Sequence, residues 1–283
     1  METLSASEIR RLAEKLELNP SKSLGQNFVV DGNTCRKIVR LAEITGDDVV
    51  LEIGPGLGSL TIALLAEAKA VIAIEIDNRL ARQLPETISQ HLPDKASALS
   101  VINNDALKIF NVQPSPTTLV ANLPYNVSVP VLLHVLENFP TVERGIVMVQ
   151  AEVAQRLAAA PGSKVYGVPS VKLKWWAESE IASAISREVF WPVPRVDSLL
   201  LAFTRNHHGY TDDETLRKRT FAIIDGAFAQ RRKMLRSALG GFLGSSQNAS
   251  EYLTALGIDP TSRAENLTLT DFIAIARGIS PTT

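Results

Sequence analysis

The sequence predicts an α/β chain: a doubly wound, mostly parallel sheet closed by an antiparallel strand pair, then a small all-helical domain. Three observations carry this. Short apolar runs rich in β-branched residues alternate with helical stretches between residues 49 and 149. Two later apolar runs are joined by a short segment, and beyond residue 205 no convincing strand remains. Strand–helix alternation requires crossover connections and so favours parallel neighbours. A close join makes the last pair antiparallel.

The elements follow in order. Ser5 and Glu8 have the spacing of a capping box, and Ile9, Leu12, Ala13 and Leu16 form a helical stripe. Asn19-Pro20 ends that helix, and Lys22-Ser23-Leu24-Gly25-Gln26-Asn27-Phe28 is polar and irregular. A second helix is expected over 34–42. Strands are expected over 49–53, 71–76, 99–103, 119–121 and 145–149, with helices over 59–68, 79–90 and 130–138. The closing pair is expected over 181–189 and 197–204, joined by Phe190-Trp191-Pro192-Val193-Pro194. Near Asn206-His207-His208-Gly209 the pattern changes, and helices are expected over 215–228, 231–239, 249–256 and 270–277. The chain thus divides into 1–205, a sheet domain with an N-terminal helical segment, and 206–283, a helical domain.

Composition narrows the class. The 283 residues are 45% hydrophobic and 21% charged, enough for a substantial core. The one cysteine, Cys35, excludes an internal disulfide and fits a reducing compartment. It falls in a predicted helix and reads as a packing residue. No signal peptide and no run of ~20 apolar residues is evident, so a cytoplasmic protein without membrane contact is expected. The formal net charge of −1 is uninformative, so a nucleic-acid partner must be met by a local patch. Arg217 to Arg236 holds seven Lys/Arg and one acid, Asp225. Such a stretch suits phosphate contact, and it also suits a merely solvated helix surface. No Cys/His cluster has metal-ligand spacing.

Glu52-Ile53-Gly54-Pro55-Gly56-Leu57-Gly58 leaves the first sheet strand and opens a helix. Glycines there let backbone approach a ligand closely beside helix amides. A dinucleotide fingerprint would carry Gly or Ala at 59; this chain has Ser59, and its third glycine comes one position early. The spacing looks like the donor loop of S-adenosylmethionine-dependent methyltransferases, although a tight strand–helix turn needs the same residues. The next strand ends at Glu75, whose carboxylate can accept from both hydroxyls of a ribose. The third ends in Asn103-Asn104-Asp105. Asp105 can accept from an adenine amino group, and equally can cap the following turn. Consecutive strand ends converge on one crevice.

The fourth strand runs into Asn122-Leu123-Pro124-Tyr125. Pro124 fixes its own φ and pushes Leu123 towards an extended conformation, which can leave the Leu123 carbonyl without a ladder partner. The Asn122 amide offers a second acceptor, and Tyr125 a ring face. Taken alone, the run reads more readily as a strand ending in a turn, with Tyr125 in the core.

The ordered set changes that. Gly25-Gln26-Asn27-Phe28, the loop from Glu52 to Gly58, Asn122 to Tyr125, and Phe190-x-Pro192-x-Pro194-x-Val196-x-Ser198 together closely resemble the rRNA adenine N6-dimethyltransferases. Two bacterial branches share this frame, the KsgA/RsmA branch acting on small-subunit rRNA and the Erm branch acting on large-subunit rRNA. Leu123, where Erm enzymes more often carry Ile, is similar to the first branch. So are Leu256-Gly257-Ile258-Asp259-Pro260 and Arg263-Ala264-Glu265-Asn266-Leu267. The resemblance covers the chain from about Ser21 onward. Val29 stands where Leu is frequent and Ala151 where Lys is frequent.

The resemblance implies a class I methyltransferase sheet with a helical RNA-substrate domain. It implies S-adenosyl-L-methionine as donor, S-adenosyl-L-homocysteine as product, and no metal. Asn27, Val29, Gly54, Glu75, Asp105 and Asn122 would hold the donor. Asn122, Leu123, Tyr125 and Phe190 would act on the target, the two aromatic rings stacking on an extruded base. Arg231, Arg232, Lys233 and Arg236 would contact RNA, Arg232 and Arg236 sharing a helical face. The implied substrate is a pair of adjacent adenosines in the 3′-terminal hairpin of small-subunit rRNA within an immature 30S particle, met by a monomer. An Erm-type enzyme, a nicotinamide-dependent oxidoreductase and an assembly factor with secondary catalysis are the alternatives.

Overall fold

The computed structural model describes residues 3–18 and 27–278, so the helix stop at Asn19-Pro20 and Lys22, Gly25 and Gln26 lie outside the described residues. Its strands are β1 (Phe28–Val29), β2 (Val49–Ile53), β3 (Ala70–Glu75), β4 (Leu99–Asn103), β5 (Thr118–Asn122), β6 (Arg144–Gln150), β7 (Ala177–Ile185), β8 (Phe190–Trp191) and β9 (Ser198–Arg205). Its helices are α1 (Ala6–Lys15), α2 (Gly32–Leu41), α3 (Ser59–Glu67), α4 (Asn78–His91), α5 (Ser128–Asn138), α6 (Ala151–Leu157), α7 (Val168–Trp176), α8 (Glu214–Ala229), α9 (Leu235–Ala238), α10 (Ser246–Ala255) and α11 (Leu269–Arg277).

The main sheet has the order β4-β3-β2-β5-β6-β9-β7, and β2 to β6 pair in parallel while β9 runs antiparallel to β6. From β2 the chain steps outward through β3 to β4, then returns to place β5 on the other side of β2. That reversal leaves a crevice between the carboxyl ends of β2 and β5. β2 is buried throughout, as expected of a parallel strand covered on both faces. The capping box at Ser5 and Glu8 forms as predicted. Cys35 is sealed inside α2, where burial, with the charges of Glu52 and Asp31 adding, pushes its thiol up to about 12.

The amino ends of the central strands are pinned by Asp48. Arg144 pairs with it at 2.9 Å, and the Thr117 and Thr118 hydroxyls donate to it at 2.8 and 3.0 Å. Burial alone would raise this carboxyl. Hydrogen bonds from the Thr45 N–H and from the Thr117, Thr45 and Thr118 hydroxyls outweigh that and hold it at about 2. One carboxylate thus ties the starts of β2, β5 and β6 together.

Three expectations need correction. The strand expected over 181–189 lies at 177–185, and Phe190–Trp191 is not merely a connection. It is a separate strand, antiparallel to β1, with Phe28 opposite Trp191 and Val29 opposite Phe190. A two-residue pairing leaves no periodicity to read. The helix expected over 231–239 contracts to Leu235–Ala238. The N–H groups of Leu235 and Arg236 donate to the Ser262 and Pro260 carbonyls, which fixes where that helix begins. Arg231 and Arg232 lie in a turn after α8, so Arg232 and Arg236 share no helical face.

The third correction concerns domains. Contacts divide the chain into Met1–Ala154 with Ser179–Arg205, and Gln155–Glu178 with Asn206–Thr283. Residues 155–178, expected with the sheet, belong instead to the helical unit. Trp175 explains this: it is fully buried, its indole N–H donates to the Thr211 carbonyl, and its ring meets Tyr210 and Phe221 at 5.0 and 5.9 Å. Among the described residues no helix is long and apolar enough to cross a membrane.

Candidate active site

The crevice at the reversal point is an open cleft bounded by the glycine loop, the end of β3 and the Asn122–Tyr125 run. Its floor is the glycine loop. Gly54, Gly56 and Gly58 all take positive φ, at 68°, 58° and 100°. A Cβ on Gly56 would stand 2.9 Å from the Phe28 ring, so side chains are excluded there by space as well as by backbone. Gly54 lies under the opposite loop, where a Cβ would come within 3.9 Å of the Asn122 carbonyl. The loop ends where α3 begins, and the Ile62 N–H closes the first helical turn on the Gly58 carbonyl at 2.9 Å.

Two carboxyls face this cleft. Glu75 accepts from the Asp77 N–H at 2.9 Å and from the Gly56 N–H at 3.2 Å, binding the end of β3 to the glycine loop. Four lone-pair directions leave it further acceptor capacity. Burial raises its carboxyl above the usual range, against lowering by those two amides. Glu52 is deeper, 1% exposed, and its Oε2 makes no hydrogen bond among the described residues. Burial pushes it up to about 8; Thr61 lowers it by less, in a geometry too poor for a hydrogen bond, and Glu75 raises it further.

The third side is the Asn122–Tyr125 run. Leu123 continues the β5 ladder by donating to the Met148 carbonyl at 3.1 Å. Its own carbonyl accepts no hydrogen bond among the described residues. The Asn122 amide nitrogen donates to the Asn27 carbonyl at 3.0 Å, which fixes the amide plane and leaves Oδ1 as an acceptor. Asn27 is carried by β1, which β8 holds in place; Trp191 stacks on Phe28 at 6.3 Å and 20°. Tyr125 is half-buried, and its phenol meets the Ser198 hydroxyl at 2.7 Å. Burial raises that phenol, with Ser198 lowering it in part.

Asn27, Val29, Gly54, Glu75 and Asn122 therefore line one cleft. Leu123 backs it, buried, and Tyr125 adjoins it in the following turn. Two expected members do not line it. The Asp105 carboxylate caps the short 106–108 turn through the Leu107 N–H at 3.0 Å. Phe190 is 2% exposed and packs in the core rather than offering a free ring face.

The basic stretch also divides. Arg217 is buried, its guanidinium 5.5 Å from the Trp176 ring, and Lys218 pairs with Glu214. Arg231 bridges to Glu265 at 3.1 Å and donates to the Lys164 carbonyl at 2.6 Å. Arg232 and Lys233 are exposed, and Arg236 is half-buried. Sequence reasoning gave no task to Glu52 or Ser198. Both stood inside motifs already singled out, which was the available signal.

Comparison with known proteins gives the family. Residues 18–280 match the family model described as ribosomal RNA adenine dimethylase. A ribosomal RNA small subunit methyltransferase A of Paenarthrobacter aurescens is 52% identical over 278 residues, covering 98% of this chain and 94% of the relative. The Corynebacterium glutamicum (strain R) protein of the same name is 55% identical, covering 96% of this chain and 94% of the relative. The crystal structure of a dimethyladenosine transferase from Plasmodium falciparum superposes with a TM-score of 0.76 at 25% identity, over 88% of this chain and 95% of that one. That of the 23S rRNA methyltransferase ErmE gives 0.66 at 25% identity, over 89% and 99%. The chain belongs to the ribosomal RNA adenine dimethylase family, the rRNA-modifying methyltransferases built on this α/β sheet.

Proposed function

We propose that this chain transfers methyl groups from S-adenosyl-L-methionine to N6 of two adjacent adenosines in the 3′-terminal hairpin loop of small-subunit rRNA, giving N6,N6-dimethyladenosine during small-subunit biogenesis. The work is cytoplasmic, and a monomer meets the rRNA in an immature 30S particle. Relatives more than half identical carry a small-subunit name, whereas the large-subunit enzyme is 25% identical. That difference favours the small subunit.

One observation carries the chemistry: Asn122 has its amide nitrogen committed to Asn27, leaving Oδ1 beside an unclaimed Leu123 carbonyl. These two acceptors suit the two hydrogens of an aromatic amine. Accepting both turns the amine so that its lone pair leaves conjugation with the ring and aims outward. This is orientation and electrostatics, with no general base required. Tyr125 supplies the ring face for the base, returning roughly 1–3 kcal/mol of the unstacking cost.

The cleft suits the donor. Its ribose hydroxyls and ammonium are hydrogen-bond donors, and the cleft offers carboxyl oxygens of Glu75 and Glu52 as acceptors. When bound, the donor supplies an electrophilic methyl group. Glu75 accepts from its ribose, Gly54 lies along its amino-acid part, and Asn27 and Val29 flank it. Asp105 accepts from its adenine with the acceptor capacity left beside the Leu107 amide.

The test supplies labelled donor to undermethylated small-subunit particles and to large-subunit rRNA, then maps the modified base. Paired dimethyladenosines in the small-subunit hairpin are expected. Label confined to large-subunit rRNA overturns the assignment. Asn122→Ala should lose methyl transfer by at least about a hundredfold while donor affinity falls much less.

A further inference from the structure

Ser198 closes the Phe190-to-Ser198 run, and nothing in the proposed transfer uses it. It opens β9 opposite Gln150 and is fully buried. The residue before it is held twice. The Asp197 carbonyl accepts from the Ala151 N–H at 2.8 Å, and the Asp197 carboxylate pairs with Arg187 at 3.0 Å. Among the described residues the Ser198 hydroxyl bonds to one group, the Tyr125 phenol, at 2.7 Å.

Tyr125 needs such a partner. It sits in the turn between β5 and α5, with no regular backbone ladder to fix it. A ring attached through two rotatable bonds samples several tilts, and only one presents its face to an incoming base. Tying the phenol to a rigid strand end selects that tilt before the base arrives, so docking loses less freedom.

We propose that Ser198 is a positioning residue for base docking: its hydroxyl holds the Tyr125 ring in the orientation that receives the extruded adenine. The inference rests on the methyl-transfer reading above. It also explains the length of the run. Its Phe190–Trp191 end grips the β1 wall, and its Ser198 end grips Tyr125, so one segment sets two sides of the cleft.

The test compares wild type, Ser198→Ala, Tyr125→Phe and the double variant on undermethylated small-subunit particles. Donor-site integrity is read by titration with S-adenosyl-L-homocysteine. Each single variant should raise KM for the particle roughly fivefold with kcat within about twofold, the effect of one neutral hydrogen bond. The double variant should be no worse than either single one, because both remove the same bond. Singles with wild-type KM overturn the proposal, as do effects that multiply. So does a Ser198→Ala variant that loses thermal stability and donor affinity with KM unmoved. If Ser198→Ala does not fold, Tyr125→Phe carries the test, since it keeps the ring. A wild type inactive on the particles sinks the methyl-transfer reading itself. An active wild type with indifferent variants sinks the Ser198 role alone.

Discussion

At the scale of single residues, Glu52 departs furthest from ordinary behaviour. A carboxyl at about 8 when folded and near 4.3 when unfolded is neutral in both states below pH 4. Between these values the unfolded chain sheds its proton and the folded one keeps it. This group therefore weakens folding as pH rises, by about 1.4 kcal/mol per unit across that window. Glu52→Gln should flatten the fall of thermal stability between about pH 5 and pH 8. Parallel profiles for the two proteins would refute the assignment. Asp48 has the opposite sign: held at about 2, it adds stability above pH 4 that is lost as pH falls towards 2. Both are perturbed acids, yet Asp48 has its acceptors filled by Thr and Arg partners, and Glu52, which lines the cleft, has one buried oxygen without a hydrogen bond among the described residues.

At the scale of elements, the glycine loop and β1 depend on each other. Gly56→Ala meets a left-handed backbone and a contact of 2.9 Å with the Phe28 ring. It should cost about 1–3 kcal/mol of stability and at least about tenfold in donor affinity. Shortening the ring with Phe28→Leu should recover part of the loss, since it relieves the contact and leaves the backbone strain; calorimetric titration of both variants checks this. The strands of the sheet were legible because alternation of strand and helix is a long-range pattern with many residues behind each reading. β8 was not, because two residues facing Phe28 and Val29 carry no period. The helix expected at 231–239 failed for a related reason. Its composition is helical, but carbonyls from Pro260 and Ser262 determine where it starts.

At the scale of the whole molecule, the basic stretch is three populations rather than one surface. Arg217 packs on Trp176, Arg231 is bonded within the helical unit, and Arg232 and Lys233 project freely. Arg232→Glu with Lys233→Glu should weaken rRNA binding and reduce its salt slope by about 0.9 for each phosphate no longer neutralised, as read by filter binding at several salt concentrations. Arg231→Ala should act chiefly on stability, by less than about 1 kcal/mol for an exposed pair, with the salt slope unmoved. An unchanged slope in the first variant, or a changed one in the second, contradicts this division. Charge counting in the sequence could not separate the three, because burial of Arg217 and the Glu265 partner of Arg231 arise from residues far along the chain. The same holds for the helical unit, whose segment 155–178 is claimed by Trp175.

The pairing of β1 with β8 bears on how the cleft behaves over time. It joins residues 28–29 to residues 190–191, about 160 positions further along the chain, through a ladder of only two residues. Closing so long a loop costs entropy that few bonds return, so this pairing belongs among the last to form and the first to fray. The wall that carries Asn27 should then open as a unit while the parallel strands stay closed. Amide exchange at Val30, whose N–H bonds to the Val189 carbonyl, would report that opening at a rate well above that of Ile72 in β3. The donor site would thereby acquire a door hinged on sequence-distant residues, letting product leave without disturbing the sheet.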